Sequence, residues 1–266
     1  MRWLGYLLVL LPMAAWGQDR IPSNCLALAA AETVVPAAFG AELPANTLRI
    51  RYLGHASFAI ETAGGLLAVT DYTGLTGNPD VVPDVVTMNI AHDTHYTDAP
   101  DPRIPFVLRG WGPIGRPAAI ELDLGEMLVR NVTTDLRGPF GEGGRKDGNS
   151  IFIFEVAGLC VGHLGHLHQV PNAAQYGAIG RLDVVMVPVD GGFTMDQAAV
   201  AAVVRHLHPR LVLPMHWFTP DNLASFLALM APDFEIIRAL GPEVEISADT
   251  LPDHPTVLVL NPALIP

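Results

Sequence analysis

A series of short apolar segments, each ended by a glycine- or proline-bearing turn, constrains this chain more than any other feature. Residues 48–53 (LRIRYL) alternate apolar and polar, the period of a half-buried strand. Residues 57–61 and 66–70 follow, separated by the turn signal Ala63-Gly64-Gly65. The opening therefore reads as a β-meander. Residues 84–90 (DVVTMNI) form a mostly apolar strand that runs into a histidine-rich loop. The many prolines and glycines of residues 97–117 indicate a long loop or lid with room for one short strand. Residues 118–124 and 127–134 form a further strand pair. Residues 138–148, glycine-rich and charged, read as a mobile loop, and 149–156 with 159–163 as a hairpin around Ala157-Gly158.

Helical patterning enters later. Residues 183–189 and 211–214 read as buried strands, and 195–207 and 221–230 as helices. Thr194 is the expected N-cap of the first helix, with Gln197 as its capping-box partner. Half of the residues are apolar and only 16% are charged, so a sizeable core is available. Strands that dominate one half and interleave with helices in the other suggest two sheets packed as a sandwich and flanked by helices, in one domain.

The start of the chain has the layout of an export signal. Arg2 gives a positive start, an apolar run follows, and Ala15-Trp16-Gly17 offers small residues at the positions a signal peptidase reads. Residues 1–17 are accordingly expected to be a signal peptide, and 18–266 the mature domain, periplasmic or secreted. The apolar run is far shorter than the ~20 residues of a spanning helix, so no membrane association is expected after cleavage. Losing Arg2, one cation, takes the formal charge from −12 to −13. So acidic a protein is a poor partner for nucleic acid or anionic membranes. The oxidising compartment permits a disulfide between Cys25 and Cys160, although Cys160, in an apolar strand, suits a buried thiol equally well.

Seven of the ten histidines fall where strands exit into loops: His55, His92, His95, His163, His166, His168 and His216. Such exits suit metal sites, because the strand fixes the backbone and the loop frees the side chain. Imidazole is a ligand for zinc, which takes three or four nitrogen, sulfur or oxygen donors. A single histidine of this kind is more often hydrogen-bonded structure than a ligand, and the joint pattern is what points to metal.

These landmarks resemble a known family. Residues 50–61 (IRYLGHASFAIE), 68–72 (AVTDY) and the histidine loop resemble the opening of metallo-β-lactamase-fold hydrolases, in particular the ascorbate-6-phosphate lactonase-like branch. Later come His163-Leu164-Gly165-His166 in place of that branch's His-x-Gly-Asp, then residues 188–194 (PVDGGFT) and Leu213-Pro214-Met215-His216. The resemblance covers roughly residues 48–220. It implies an αββα sandwich of two mixed β-sheets flanked by helices, with a hydrolytic metal site at one edge. Carried over by position, His216 matches a terminal metal ligand and His95 the second histidine of the H-x-H-x-D-H signature. Asp71 matches an aspartate that supports a ligand histidine, and His55 a nearby supporting histidine.

The signature itself is altered. The loop reads Ala91-His92-Asp93-Thr94-His95-Tyr96-Thr97-Asp98 and lacks the aspartate–histidine pair of a second metal site. His166 occupies the bridging-aspartate position, where an imidazole bridges two metals poorly. One divalent metal, zinc for preference, is therefore expected rather than two. The expected ligands are His92, His95, His166 and His216, with Asp190 or His168 in reserve, and His163 in support. A metal-activated water would attack a small ester, lactone or phosphoester. Asp93, Asp98 or Asp190 would act as base, and Tyr96 would donate to a developing oxyanion. Four histidines closing the shell would instead make a non-catalytic metal-binding protein. Histidines that fail to converge would leave a catalytically dead scaffold.

Overall fold

The computed structural model describes residues 25, 42–138 and 144–263. The expected signal peptide and most of the segment up to residue 46 lie outside the described residues.

The meander forms β1 (Leu48–Gly54), β2 (Ser57–Thr62) and β3 (Leu67–Val69), followed by β4 (Val85–Met88) and β5 (Phe106–Arg109). Next come β6 (Glu121–Asp123), β7 (Met127–Arg137), β8 (Gly144–Val156) and β9 (Leu159–His163). Helix α1 (Ala173–Ile179) leads to β10 (Val184–Pro188), α2 (Gln197–Leu207), β11 (Leu211–Met215) and α3 (Pro220–Met230). Strands β12 (Glu235–Arg238), β13 (Glu243–Ile246) and β14 (Thr256–Val259) complete the described elements. They build two mixed sheets, ordered β13-β1-β2-β3-β4-β5 and β12-β14-β11-β10-β9-β8-β7-β6.

Alternation decides how the sheets meet. Leu48, Ile50 and Tyr52 of β1 and Phe58 and Ile60 of β2 face Phe152, Phe154, Val184, Met186 and Leu213 of the second sheet. The outer face of the second sheet carries the helices. Val200, Val203 and Val204 of α2 and Phe226 and Met230 of α3 pack there, fully buried. Each such side chain contributes about 1.5–3 kcal/mol of transfer free energy. Among the described residues the outer face of the first sheet is covered by loop residues, with Tyr72, Ile104, Tyr96 and Trp111 packed against Val69, Val86 and Met88.

Three local expectations change. The mobile loop expected over 138–148 gives way to ladder at its second half. Arg145 pairs with Leu136 and Gly144 with Arg137, and residues 139–143 lie outside the described residues. Polar cross-strand bonds extend the hairpin, including Thr133 Oγ1 to Asp147 Oδ1 at 2.6 Å. A Cβ at Gly144 would sit 1.9 Å from the Leu136 carbonyl oxygen, so glycine is what lets the strands close there. Thr194 is not the cap of α2. Asp196 caps it, accepting from the amides of Ala198 and Ala199, while Thr194 is engaged by Asp190. Helix α1 is an element beyond those expected from periodicity, and its Asn172–Gln175 capping box is its readable signal.

Cys25 and Cys160 are joined in a disulfide across 135 positions. The Arg181 amide donates to the Cys25 carbonyl. A bridge closing so long a loop stabilises by roughly 2–4 kcal/mol, mainly by restricting the unfolded chain.

Candidate metal centre

Strand exits of both sheets converge on one point. His55 lies in the β1–β2 turn, His95 in the loop after β4, and His216 directly after β11. One ligand atom from each of these three histidines lies within 4.8 Å of the others. The His95 and His216 Nε2 atoms are 3.2 Å apart, close to the ~3.3 Å edge of a tetrahedron with the usual zinc–nitrogen bond length.

A carboxylate backs each member of that pair. Asp71 Oδ2 accepts from His95 Nδ1 at 2.7 Å, and Asp190 Oδ2 accepts from His216 Nδ1 at 2.9 Å. With the proton held on Nδ1, each Nε2 presents a lone pair. Two lone pairs facing each other at 3.2 Å repel unless a cation lies between them. The Nε2 of His55 is buried and has no hydrogen-bond partner among the described residues. An unpaired buried nitrogen costs about 1–3 kcal/mol. These donors therefore fit a divalent metal.

The backbone is held in unusual shapes at the same place. His55, Asp71 and His216 have φ of 51°, 42° and 60°, a left-handed region costing an L-residue about 1–2 kcal/mol. Such outliers collect at functional sites. Two bonds fix the turn: the His216 amide and the Tyr52 hydroxyl both donate to the His55 carbonyl, at 2.7 and 2.8 Å.

Burial keeps His55 and His95 neutral. Burial, reinforced by His216 and His95, lowers His55 to about 3, and burial holds His95 well below the usual range. Burial pushes Asp71 up to about 6, with His163 and the Asn89 amide pulling the other way. Burial also acts to raise Asp190. There, however, bonds from His216, the Thr194 side chain and the Thr194 and Gly192 amides outweigh it and hold the carboxyl well below the carboxylate range.

The other candidate residues surround this group. His92 is exposed, its ring 5.9 Å from those of His95 and His166. His166 is buried and stands perpendicular to His95 at 4.8 Å, but it lies outside the three-histidine group and bonds through Nδ1 to His168. Asp190 sits behind His216, with Oδ1 taken by the amides of Gly192, Phe193 and Thr194. His163 is fully buried. Its Nε2 donates to the Ala56 carbonyl, and its Nδ1 accepts from Asn89 and the Gly165 amide. Gly165 has φ of 61°, and a Cβ there would meet Asn89 Nδ2 at 2.2 Å. Asp93 and Asp98 are exposed. The Tyr96 hydroxyl turns to Asp98 at 3.4 Å, and its ring meets Trp111 edge-on.

Sequence reasoning missed two features. It gave His55 a supporting place, and the only local signal was a histidine following Gly54 in a tight turn. It passed over Arg137, which bonds His168 through its amide and the Gly192, Phe193 and Thr194 carbonyls through its guanidinium. On the rim, exposed Phe218 packs 5.1 Å from His216 and 5.2 Å from exposed Phe193.

Residues 49–216, well over half the chain, match the family model of the β-lactamase superfamily domain. A metal-dependent hydrolase of Cupriavidus metallidurans is 26% identical over 79% of this chain and 88% of its own length. One from Thermococcus kodakarensis is 26% identical over 75% of this chain and its own full length. Among solved structures, a Thermotoga maritima protein assigned as a Zn-dependent hydrolase of the metallo-β-lactamase superfamily superposes with a TM-score of 0.59 at 29% identity. It covers 80% of this chain and 98% of its own. A metallo hydrolase of Ignicoccus hospitalis shares the fold, with a TM-score of 0.55 at 18% identity over 76% of this chain and 99% of its own. The two mixed sheets, the histidines gathered at their strand exits and the matched family model place the chain in one family: it belongs to the metallo-β-lactamase superfamily.

Proposed function

We propose that the protein is an exported, metal-dependent hydrolase with one divalent metal, zinc for preference, acting on a small ester, lactone or phosphoester. The observation that carries this reading is the pair of Nε2 atoms 3.2 Å apart, each on a histidine whose Nδ1 is bound by a buried carboxylate. His95 and His216 would hold the metal with His55, whose unpaired Nε2 is the third donor. A metal so bound polarises a carbonyl or phosphoryl oxygen and makes water a competent nucleophile near neutral pH. Asp71 and Asp190 fix the tautomer of the two histidines they bond, and thereby which nitrogen is free. Phe193 and Phe218 would exclude water and receive the uncharged part of a substrate. Asp93 and Asp98 stand on the loop that carries His95 and are the proposed proton acceptors. The relatives described as metal-dependent hydrolases support the reaction class. The Cys25–Cys160 disulfide supports an oxidising compartment, periplasmic or extracellular, reached through cleavage after Gly17.

The test is elemental analysis of the purified mature protein and of His95→Ala/His216→Ala, combined with a panel of nitrophenyl esters, lactones and phosphodiesters. We expect about one metal per chain, its loss in the double variant, and a fall of at least about 100-fold in any hydrolysis found. A wild type that binds no metal after incubation with zinc refutes the proposal.

A further inference from the structure

A chain of hydrogen bonds enters the site from the second sheet. The Arg137 amide, at the end of β7, donates to His168 Nδ1 at 3.0 Å. His168 Nε2 and His166 Nδ1 are 2.7 Å apart. Arg137 is itself anchored, since its guanidinium donates to the Thr194 carbonyl at 2.9 Å.

A backbone amide can only donate, so His168 Nδ1 carries no proton. A neutral imidazole has one proton, and His168 must therefore carry it on Nε2 and donate it to His166 Nδ1. His166, accepting at Nδ1, must carry its own proton on Nε2. Each ring then keeps one nitrogen without a proton, His168 at Nδ1 and His166 at Nδ1, so both imidazoles are neutral in this arrangement. His166 Nε2 lies on the side of its ring away from His168, and the ring stands perpendicular to His95 and His216 at 4.8 and 5.2 Å.

We infer that His166 is not a metal ligand but a fixed N–H donor beside the three-histidine group, aimed at an oxygen of the bound substrate, with His168 and Arg137 as the positioning residues that set its tautomer. This rests on the reading that His55, His95 and His216 hold the metal. To coordinate through Nε2, His166 would have to move its proton to Nδ1. His168 would then have to accept at both nitrogens, which a neutral imidazole cannot do. A carboxylate at this position would offer oxygens to metal, whereas the histidine with its relay offers a proton to an oxyanion.

Long-range proton–nitrogen correlation spectra of the full mature chain, labelled with nitrogen-15 at histidine, read the tautomers directly. His166→Gln and His168→Gln assign the signals. We expect Nε2–H at both residues in the metal-free protein. In protein loaded with cadmium-113 we expect couplings to ring nitrogens of His55, His95 and His216 and none to His166. In His168→Ala, His166 loses its constraint and a cadmium coupling to it should emerge. Inorganic phosphate, added as an oxyanion probe to the cadmium form, should shift the His166 Nε2 proton. It should bind about 10-fold more weakly to His166→Ala than to wild type or to His166→Gln, which keeps an N–H donor. An Nδ1–H tautomer at His166, a wild-type cadmium coupling to it, or unchanged phosphate affinity in His166→Ala overturns the inference. If no histidine couples to cadmium, the metal-site reading itself fails, while the tautomers of the metal-free protein still decide whether the relay exists.

Discussion

Asp71–His95 and Asp190–His216 are the same device built twice, once on each sheet, and they are not equally well made. Both carboxylates are buried, and both accept from an Nδ1 whose Nε2 faces the other. Asp190 also accepts from three successive amides and the Thr194 hydroxyl. These fixed dipoles carry its charge and hold its carboxyl low despite burial. Asp71 has the Asn89 amide at 2.9 Å besides its histidine, and burial prevails there, pushing it up to about 6. The second-sheet half is thus a pre-formed socket. The first-sheet half carries a charge that the protein alone compensates poorly, and a cation beyond His95 would complete it.

The largest effect should come from emptying the socket. Asp190→Ala strands three amides, a hydroxyl and the His216 N–H at once. Loss of a buried charge network of this kind costs about 3–5 kcal/mol, which at about 2–4 °C per kcal/mol for a chain of this size lowers the melting temperature by roughly 6–20 °C. Thermal unfolding of the chelated protein by circular dichroism measures it. A loss below about 1 kcal/mol would mean that the socket is no better built than its counterpart.

Asp71→Asn should separate metal binding from stability. The Asn oxygen can still accept from Asn89, but its NH2 faces His95 Nδ1 and favours the tautomer with a proton on Nε2. Zinc affinity should fall about 10–100-fold, read by competition with a chromogenic chelator. Stability of the metal-free protein should change by no more than about 1 kcal/mol near neutral pH. Equal stability losses in the Asp71 and Asp190 variants would erase the distinction between the halves.

The two carboxylates also give opposite pH slopes. Folding raises Asp71, so between its ordinary value of 3.8 and about 6 the native state binds more protons than the unfolded one. That contribution is complete below 3.8 and is lost as pH rises through about 6. Folding lowers Asp190, whose contribution is present above 3.8 and lost as pH falls through its folded value. In urea titrations with chelator, Asp71→Asn should therefore gain on wild type as pH rises from about 4 to about 6. Asp190→Asn should lose its deficit only in stronger acid. Parallel pH profiles for the two variants would contradict the assignment.

What was legible in the sequence follows the same division between local and long-range causes. The strands from 48 to 70, the 149–163 hairpin and the two longer helices announce themselves by periodicity, which each segment carries within itself. Asp71, His95 and His216 stand out because short local patterns surround them. The place of His55 in the trio does not, because its nearness to His95 and His216 exists only once the β1–β2 turn meets the exits of β4 and β11. Likewise Thr194 looks like a helix cap until Asp190, four residues earlier, is seen to take both its amide and its hydroxyl. The disulfide and the Arg137–His168 bond join residues far apart in sequence, and no periodicity encodes such meetings.

The smallest effect tests whether the first-sheet half is also strained. His55 holds φ at 51° in the turn that brings its ring to the other two histidines. Replacing it by alanine and by glycine removes the ring in both cases, so the difference between the variants reports the backbone alone. Glycine pays no Cβ penalty in this region, although its unfolded chain has more freedom to lose. The net expectation is that His55→Gly is more stable than His55→Ala by up to about 1 kcal/mol, while both bind zinc more weakly than wild type. Paired chemical denaturation with chelator resolves a difference of that size. If the alanine variant is the more stable of the two, the turn is not held in the left-handed region in solution, and the strain assigned to this half of the site is absent.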